Sequence, residues 1–368
     1  MSSPRNVFEN FSGKPETRDG VFSEDEVRLA NRNSGILLET LKQDITPTGA
    51  HYLLIHFDVP LLDESVHQLE FGQGFDNPHS LSLDDIRALP QQTMAVTLEC
   101  AGNGRANMSP RTYSQPWSVE AVGTSLWTGT ALAPLIEQAN PQPGTVNLVF
   151  TGADRGFDKG HEHTYQRSLT LDQLASLDVL LVHAMNGQPL LPQHGAPLRI
   201  VVPGWYGMAS VKWLSHIEAS DTPFEGYQQT GTYHYRKHDN DPGTPVTSIR
   251  VKSLMVPPGV PDWTTRFRHL TPGPVAIVGR AWSGNGAAVD KVEFSSGDGW
   301  QVAELSRTNE KYAWTKWSVI WDAKPGEYVL RCRATDVNGN IQPLEPRWDN
   351  SGFGNNAAQS VHVYVAGR

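Results

Sequence analysis

"RKHDNDPGTP", residues 236–245, packs two prolines, a glycine, two aspartates and an asparagine into ten positions of a 368-residue chain. A run of this kind continues neither a helix nor a strand, and it reads as a linker. The pattern differs on its two sides. Upstream, "HYLLIHFDVP" (51–60), "TMAVTLEC" (93–100), "TVNLVF" (145–150), "VLLVHAM" (179–185), "PLRIVVPG" (197–204) and "ASVKWLSHIEAS" (209–220) read as strands. Between them, "LSLDDIRALP" (81–90) and "TGTALAPLIEQA" (128–139) carry Ser or Thr near their start and read as short capped helices. Downstream, only short β-rich runs recur, among them "GPVAIVGRAWSG" (273–284), "KWSVIWDA" (316–323), "GEYVLRCRATDVNGN" (326–340) and "SVHVYVA" (360–366), with hairpin turns at "GDG" and "NGN". This predicts an α+β protein: a polar arm over 1–45, a mixed α/β domain over 46–240 and an immunoglobulin-like β-sandwich over 245–368. In the arm, "EDEVRLANRNSGILLETL" (24–41) has the apolar period of a short helix wrapped on the body.

Composition narrows the partners. Hydrophobic residues are 38% and charged residues 19%, with 33 glycines and 26 prolines, which suits a turn-rich globular protein. Two domains of this size fold without disulfide staples. The net charge of −9 disfavours a nucleic-acid or anionic-membrane surface, so an anionic substrate needs a local basic pocket. There is no apolar run long enough to span a bilayer, and residues 1–20 show neither an apolar signal core nor a twin arginine. The expectation is a soluble protein, with the compartment open between cytoplasm and periplasm.

Chemistry centres on "TLECAGNGR", residues 97–105. Cys100 ends an apolar strand and precedes a glycine-broken turn, a place where ligand sites are built. From the residues alone it reads as a soft metal ligand, a nucleophile or a core filler, with nothing nearby to complete a zinc site. Cys332, in an alternating strand, reads as a small buried hydrophobe. His56, Arg105, Arg155, His194, Arg199, Lys212 and His216 sit beside glycines or at strand ends and together form a candidate oxyanion or phosphate pocket. His161 and His163 of "HEH" read as a surface loop. Trp127 reads as core, whereas Trp117, after a proline, is open between core and pocket wall.

The ordered set "VTLECAGNGR" (96–105), "PW" (116–117), "AVGTSLWTGTALAPLIEQA" (121–139), "HAMNGQPLLPQHGAPLRIVVPGWYGMASVKWLSHI" (183–217) and the tryptophan-punctuated C-terminal strands resembles the sulfite oxidase family of molybdenum enzymes. The likeness runs through residues 45–366. It implies a mixed α/β domain burying a mononuclear molybdenum–molybdopterin cofactor, followed by a sandwich that usually makes a homodimer. By the same resemblance Cys100 is the metal ligand, Arg105 and Trp117 face the oxyanion, and Tyr233 completes the catalytic set, with Tyr235 as the alternative. His56, Asp154, His194, Arg199, Ser210 and Lys212 match the residues that hold the pterin and its phosphate.

The chain also departs from the family. Leu54-Ile55-His56 stands where relatives commonly show Arg-Asn-His, Gly104 precedes Arg105 in place of a double arginine, and Ser351 aligns with a further arginine. Arg32 of the arm is a candidate replacement charge. The implied activity is oxidation of sulfite, or a similar small oxyanion, to sulfate. No C-x-x-C-H sequence is present, so no haem is expected, and the electrons go to an external cytochrome c-type protein or dioxygen. The alternatives are another oxyanion or S-oxide reaction at the same cofactor, such as nitrate reduction, or a non-enzymatic β-sandwich binding protein with Cys100 merely buried.

Overall fold

The computed structural model describes residues 22–366. Residues 1–21 of the expected arm lie outside the described residues. Helix α1 (Glu24–Arg32) starts at a capping box in which Ser23 and Glu26 satisfy each other's backbone N–H groups. It stops short of the predicted span because Asn33 turns its side chain to other work, accepting the N–H of Ile55 at 2.7 Å. Gly35 then passes so close to Glu120 that an added Cβ would lie 2.5 Å from its Cβ.

The first module contains strands β1 (Gln68–Phe71), β2 (His79–Ser82), β3 (Gln92–Glu99), β4 (Val122–Ala131), β5 (Asn147–Asp158), β6 (His161–Thr170), β7 (Leu180–Met185), β8 (Gln188–Pro189), β9 (Arg199–Val201) and β10 (Leu214–Ser220). Helices α2 (Leu83–Ala88), α3 (Leu132–Ala139) and α4 (Leu171–Ser176) connect them. One sheet runs β2-β1-β10-β5-β6, the other β3-β4-β7-β8 with β9 also on β7. Apolar faces of both sheets and of α3 close one core around Phe71, Leu135, Phe150, Leu181, Ile200 and Ile217.

A short hairpin of β11 (His234–Tyr235) and β12 (Thr244–Pro245) leads into the second module. Its strands are β13 (Lys252–Met255), β14 (Val260–Pro261), β15 (Arg268–Leu270), β16 (Gly273–Trp282), β17 (Val289–Ser295), β18 (Gln301–Val302), β19 (Glu304–Ser306), β20 (Thr315–Ala323), β21 (Gly326–Asp336) and β22 (Gln359–Val365). They form two sheets, β13-β16-β20-β19 and β14-β15-β22-β21-β17-β18. Strict alternation of buried and exposed residues along β22 supplies one inner face of the sandwich.

A third core joins the modules. Val96, Leu98 and Trp127 pack in one cluster with Leu254, Trp282 and Trp314. At its centre the carboxylate of Glu99 accepts from Lys252 Nζ at 2.8 Å, from Trp282 Nε1 at 2.8 Å and from Asn103 Nδ2 at 2.9 Å. The strand end that carries Cys100 is therefore anchored to both modules.

Three local expectations fail for identifiable reasons. "HYLLIHFDVP" is extended but joins no sheet: Leu53 bridges Ser34, the Leu54 carbonyl accepts from Lys212, and the Ile55 N–H goes to Asn33. Tyr52, Leu53 and Leu54 line a cavity instead of entering a sheet. "TGTALAPLIEQA" divides, with 128–131 finishing β4 and α3 starting without a side-chain cap. In "ASVKWLSHIEAS" only 214–220 is strand, because Ser210 and Lys212 turn toward the cavity.

Candidate active site

Strand β3 delivers Cys100 to the end of its sheet, where the chain leaves the ladder in a tight turn. The Cys100 carbonyl accepts from Asn103, and that of Gly102 accepts from Arg105. Gly104 has a φ of 92°, a left-handed conformation that strains any other residue, and an added Cβ would lie 3.0 Å from Asn355 Nδ2. A second arginine has no easy place here. Arg105 is buried, donating from Nε to the Ser351 carbonyl and from Nη1 to the Gln115 carbonyl, both at 2.8 Å. Burial pushes the Cys100 thiol above its usual range, and the Arg105 charge is the first influence opposing it. The indole Nε1 of Trp117 is buried without a hydrogen-bond partner, and it lies beside the thiol, favouring its ionised form.

In front of Cys100 opens a narrow cleft with a cavity volume of about 70 Å³. Its lining includes His56, Asp154, His194, Arg199, Ser210, Lys212 and Tyr233 together with Cys100. Arg105 and Trp117 are not part of that lining; they sit against the Cys100 turn. Arg199 comes from β9 and is fixed by the carbonyls of His194 at 2.9 Å and Ser210 at 3.0 Å, with its guanidinium 5.0 Å over the Trp127 ring. Trp127 is thus core, as its sequence context suggests. Ser210 Oγ accepts from the Val202 N–H. Lys212 Nζ donates to the carbonyls of Leu54 and Gln193.

Positive charge dominates this cleft. Burial, reinforced by Arg199, pulls Lys212 down to about 7, and burial pulls Arg199 down to about 10. Asp154 is pushed up to about 6 by burial against the pull of Lys212. His56 and His194 are each driven down to about 3, first by burial and then by neighbouring cations.

On the far wall, Tyr233 meets His56 Nε2 at 2.9 Å. Tyr235 stacks 4.2 Å from the Arg250 guanidinium, outside the cleft. Arg32 reaches the His56 carbonyl at 3.1 Å from an exposed position. Besides Arg105, two members of the candidate basic pocket do not join the cleft lining. Arg155 pairs with Glu162 at 2.9 Å and His216 with Glu70 at 3.2 Å, both on the exposed side of their sheet, because strand alternation turns them outward. His161 and His163 lie on β6, not in a loop, and pack against Tyr227. No cluster of three metal-ligating side chains occurs among the described residues.

Several residues escaped the sequence reading. His51 and Tyr52 line the cleft, and His51 Nε2 is buried without a partner. Tyr165 packs against His56 with ring centres 4.8 Å apart and the rings tilted by 33°. The loop after β21 returns Phe353 from the second module to Arg105, beside Ser351, which the sequence had already marked as a departure from the family. Arg167 lies buried over Tyr233. Its signal was an arginine in the inward register of "YQRSL" (165–169), where a solvated charge has no place.

The cleft tests well for an anionic pterin cofactor. Arg105, Arg167 and Arg199 are buried, Lys212 is partly so, and among the described residues none of the four forms a salt bridge with a carboxylate. Unmet buried charge of one sign calls for a ligand of the other.

Comparison with known proteins gives this cleft a family. The family described as oxidoreductase molybdopterin binding domain matches residues 56–228, and the Mo-co oxidoreductase dimerisation domain matches residues 245–366. Sulfite oxidase from Arabidopsis thaliana is 30% identical over 351 residues, covering 86% of this chain and 87% of that protein. This chain belongs to the sulfite oxidase family. Human mitochondrial sulfite oxidase is 32% identical over 345 residues, or 88% of this chain, and the chain spans 62% of that relative's length. An NADH nitrate reductase from Ulva prolifera is 29% identical over 362 residues, covering 87% of this chain and 40% of that protein. The sulfane dehydrogenase SoxCD from Paracoccus pantotrophus shares the fold, with a TM-score of 0.77 at 22% identity over 100% of this chain and 96% of that one. Within the sulfite oxidase family fold, the α/β module and its β-sandwich partner are those described above. The described residues contain no helix long and apolar enough to cross a membrane.

Proposed function

We propose that this chain binds a mononuclear molybdenum–molybdopterin cofactor and oxidises sulfite to sulfate, passing electrons to an acceptor outside the chain. Sulfite and one water yield sulfate, two protons and two electrons. The observation that carries this reading is the cleft itself: a buried thiol at one end and, in its lining, Arg199 and Lys212, neither in a salt bridge with a carboxylate among the described residues. When bound, the cofactor supplies oxygen-atom transfer and stores the two electrons before they leave singly.

Cys100 is the proposed metal ligand. Its buried thiol must lose a proton to bind, and Arg105 and the Trp117 N–H stabilise the anion that results. Arg199, Lys212, His194 and Ser210, with His56 and Asp154, are proposed to hold the pterin and its phosphate through charge-assisted and carbonyl-fixed contacts. Arg105, Trp117 and Tyr233 are proposed to orient the substrate anion. Tyr233 and His56 form a neutral hydrogen-bonded pair, since burial lowers the histidine and raises the phenol. Such a pair orients an oxyanion without adding net charge.

A second reading, nitrate or S-oxide reduction, is favoured by one observation. Leu54 presents an uncharged wall to the cleft, and Ser351 meets Arg105 only through its carbonyl. The test is molybdenum analysis of protein made in a cofactor-producing host, followed by turnover with sulfite and ferricyanide, then with nitrate and an S-oxide. About one molybdenum per chain with sulfite as the best substrate supports the leading reading; a metal-free protein overturns both. Cytochrome c and dioxygen, compared in place of ferricyanide, identify the class of acceptor. Light scattering tests the homodimer we propose for the second module.

A further inference from the structure

Arg167 has no part in the reactions assigned above. It projects from β6 in register with Tyr165 and is only 3% exposed. One of its N–H groups donates to the Gln228 carbonyl, at the π-helical turn Tyr227–Gly231 that leads to Tyr233. Its Nε is buried with no partner, and among the described residues no carboxylate pairs with it. The guanidinium carbon lies 5.5 Å from the centre of the Tyr233 ring. Tyr233 stacks on Phe353 at 5.0 Å, and Arg105 sits 5.5 Å from the Phe353 ring centre. Two buried guanidiniums therefore flank one aromatic pair, whose phenol end reaches His56 inside the cleft.

A buried cation with an unmet donor is costly unless an anion balances it. Tyr233 offers a π face but no charge, because burial keeps its phenol protonated. Among the described residues no anion balances Arg167. We propose that Arg167 is a second anion-positioning cation of this site, acting through Tyr233, whose ring it fixes against His56 while lending positive potential to a bound oxyanion. The proposal rests on the sulfite reading for the identity of that anion, but not for its charge.

The test uses cofactor-loaded wild type, Arg167→Met, Arg167→Gln and Arg167→Lys. For each, molybdenum content, sulfite kinetics and the sulfate-induced rise in Tm are measured. The expected result for Arg167→Met and Arg167→Gln is normal molybdenum, a KM for sulfite raised about tenfold, a kcat within about threefold, and loss of the sulfate-induced rise. Arg167→Lys, which keeps the charge, restores at least half of that rise. Wild-type KM and wild-type sulfate response in the neutral variants overturn the proposal, as does a lysine variant no better than the neutral ones. If Arg167→Met does not fold, the Gln and Lys variants carry the same comparison. Wild type that gains an Arg167-dependent rise from sulfate yet does not turn over sulfite keeps the Arg167 role and overturns the sulfite reading. Sulfite turnover whose KM ignores residue 167 does the reverse.

Discussion

Both cysteines of this chain are free and buried, and burial raises the thiol of each. They differ in what surrounds the sulfur. Cys332 sits in the middle of β21 against the Ser253 carbonyl in an apolar core, and is pushed up to about 12. Cys100 stands at a strand end with a buried arginine, an unpartnered indole N–H and an open cleft before it. Burial makes a cysteine inert only where nothing stabilises the thiolate. The largest break in this comparison is substitution at each sulfur. Cys100→Ala should lower sulfite turnover at least about a thousandfold while leaving the protein folded. Cys332→Ala should keep turnover and cost about 1 kcal/mol in denaturant unfolding. Equal effects on turnover would erase the distinction.

Next in size are the cations across the cleft. Arg199→Met and Lys212→Met should each cut the molybdenum content of purified protein at least about fivefold, since a buried cation beside an anion at short range is worth several kcal/mol. Metal analysis reads this directly. Arg105→Ala acts at the thiol end and should raise the KM for sulfite about tenfold or more, with kcat falling less. Together these variants separate holding the cofactor from positioning the substrate.

How much of this could be read from the residues depends on distance along the chain. Cys100 and Arg105 were legible because one tight turn sets their relation, and the glycine that permits the turn lies between them. His194, Arg199 and Lys212 were legible as basic residues beside glycines or at strand ends, and Ser210 only through the family resemblance; all four line one cleft. The sandwich showed in its alternation. Phe353 and the Ser351 carbonyl were not legible, because a loop of the second module brings them to Arg105 from some 246 positions away. "HYLLIHFDVP" misled because cavity walls and strands use the same apolar residues; only the destination of the backbone hydrogen bonds separates them. Arg155 and His216 misled because their neighbours in sequence are not their neighbours in space.

The last expected effect concerns pH, and it distinguishes an empty cleft from a filled one. His51, His56 and His194 stand at about 4, 3 and 3 in the folded chain, mainly through burial. Unfolded, each titrates near 6.5. As pH falls below that value the unfolded chain takes up protons that the folded chain refuses, so stability drops, by about 2 kcal/mol per histidine at pH 5. Lys212 works in a higher window. Its folded value of about 7 lies below its unfolded 10.5, so the unfolded chain again holds more protons, and cofactor-free protein gains stability from pH 7 toward 9. An anion in the cleft reverses the cause at both His194 and Lys212, because it rewards their charged forms. Thermal unfolding from pH 5 to 9 should therefore show a steeper rise of Tm with pH in cofactor-free protein than in loaded protein. Parallel curves for the two would mean that the cations of this cleft do not face the anion.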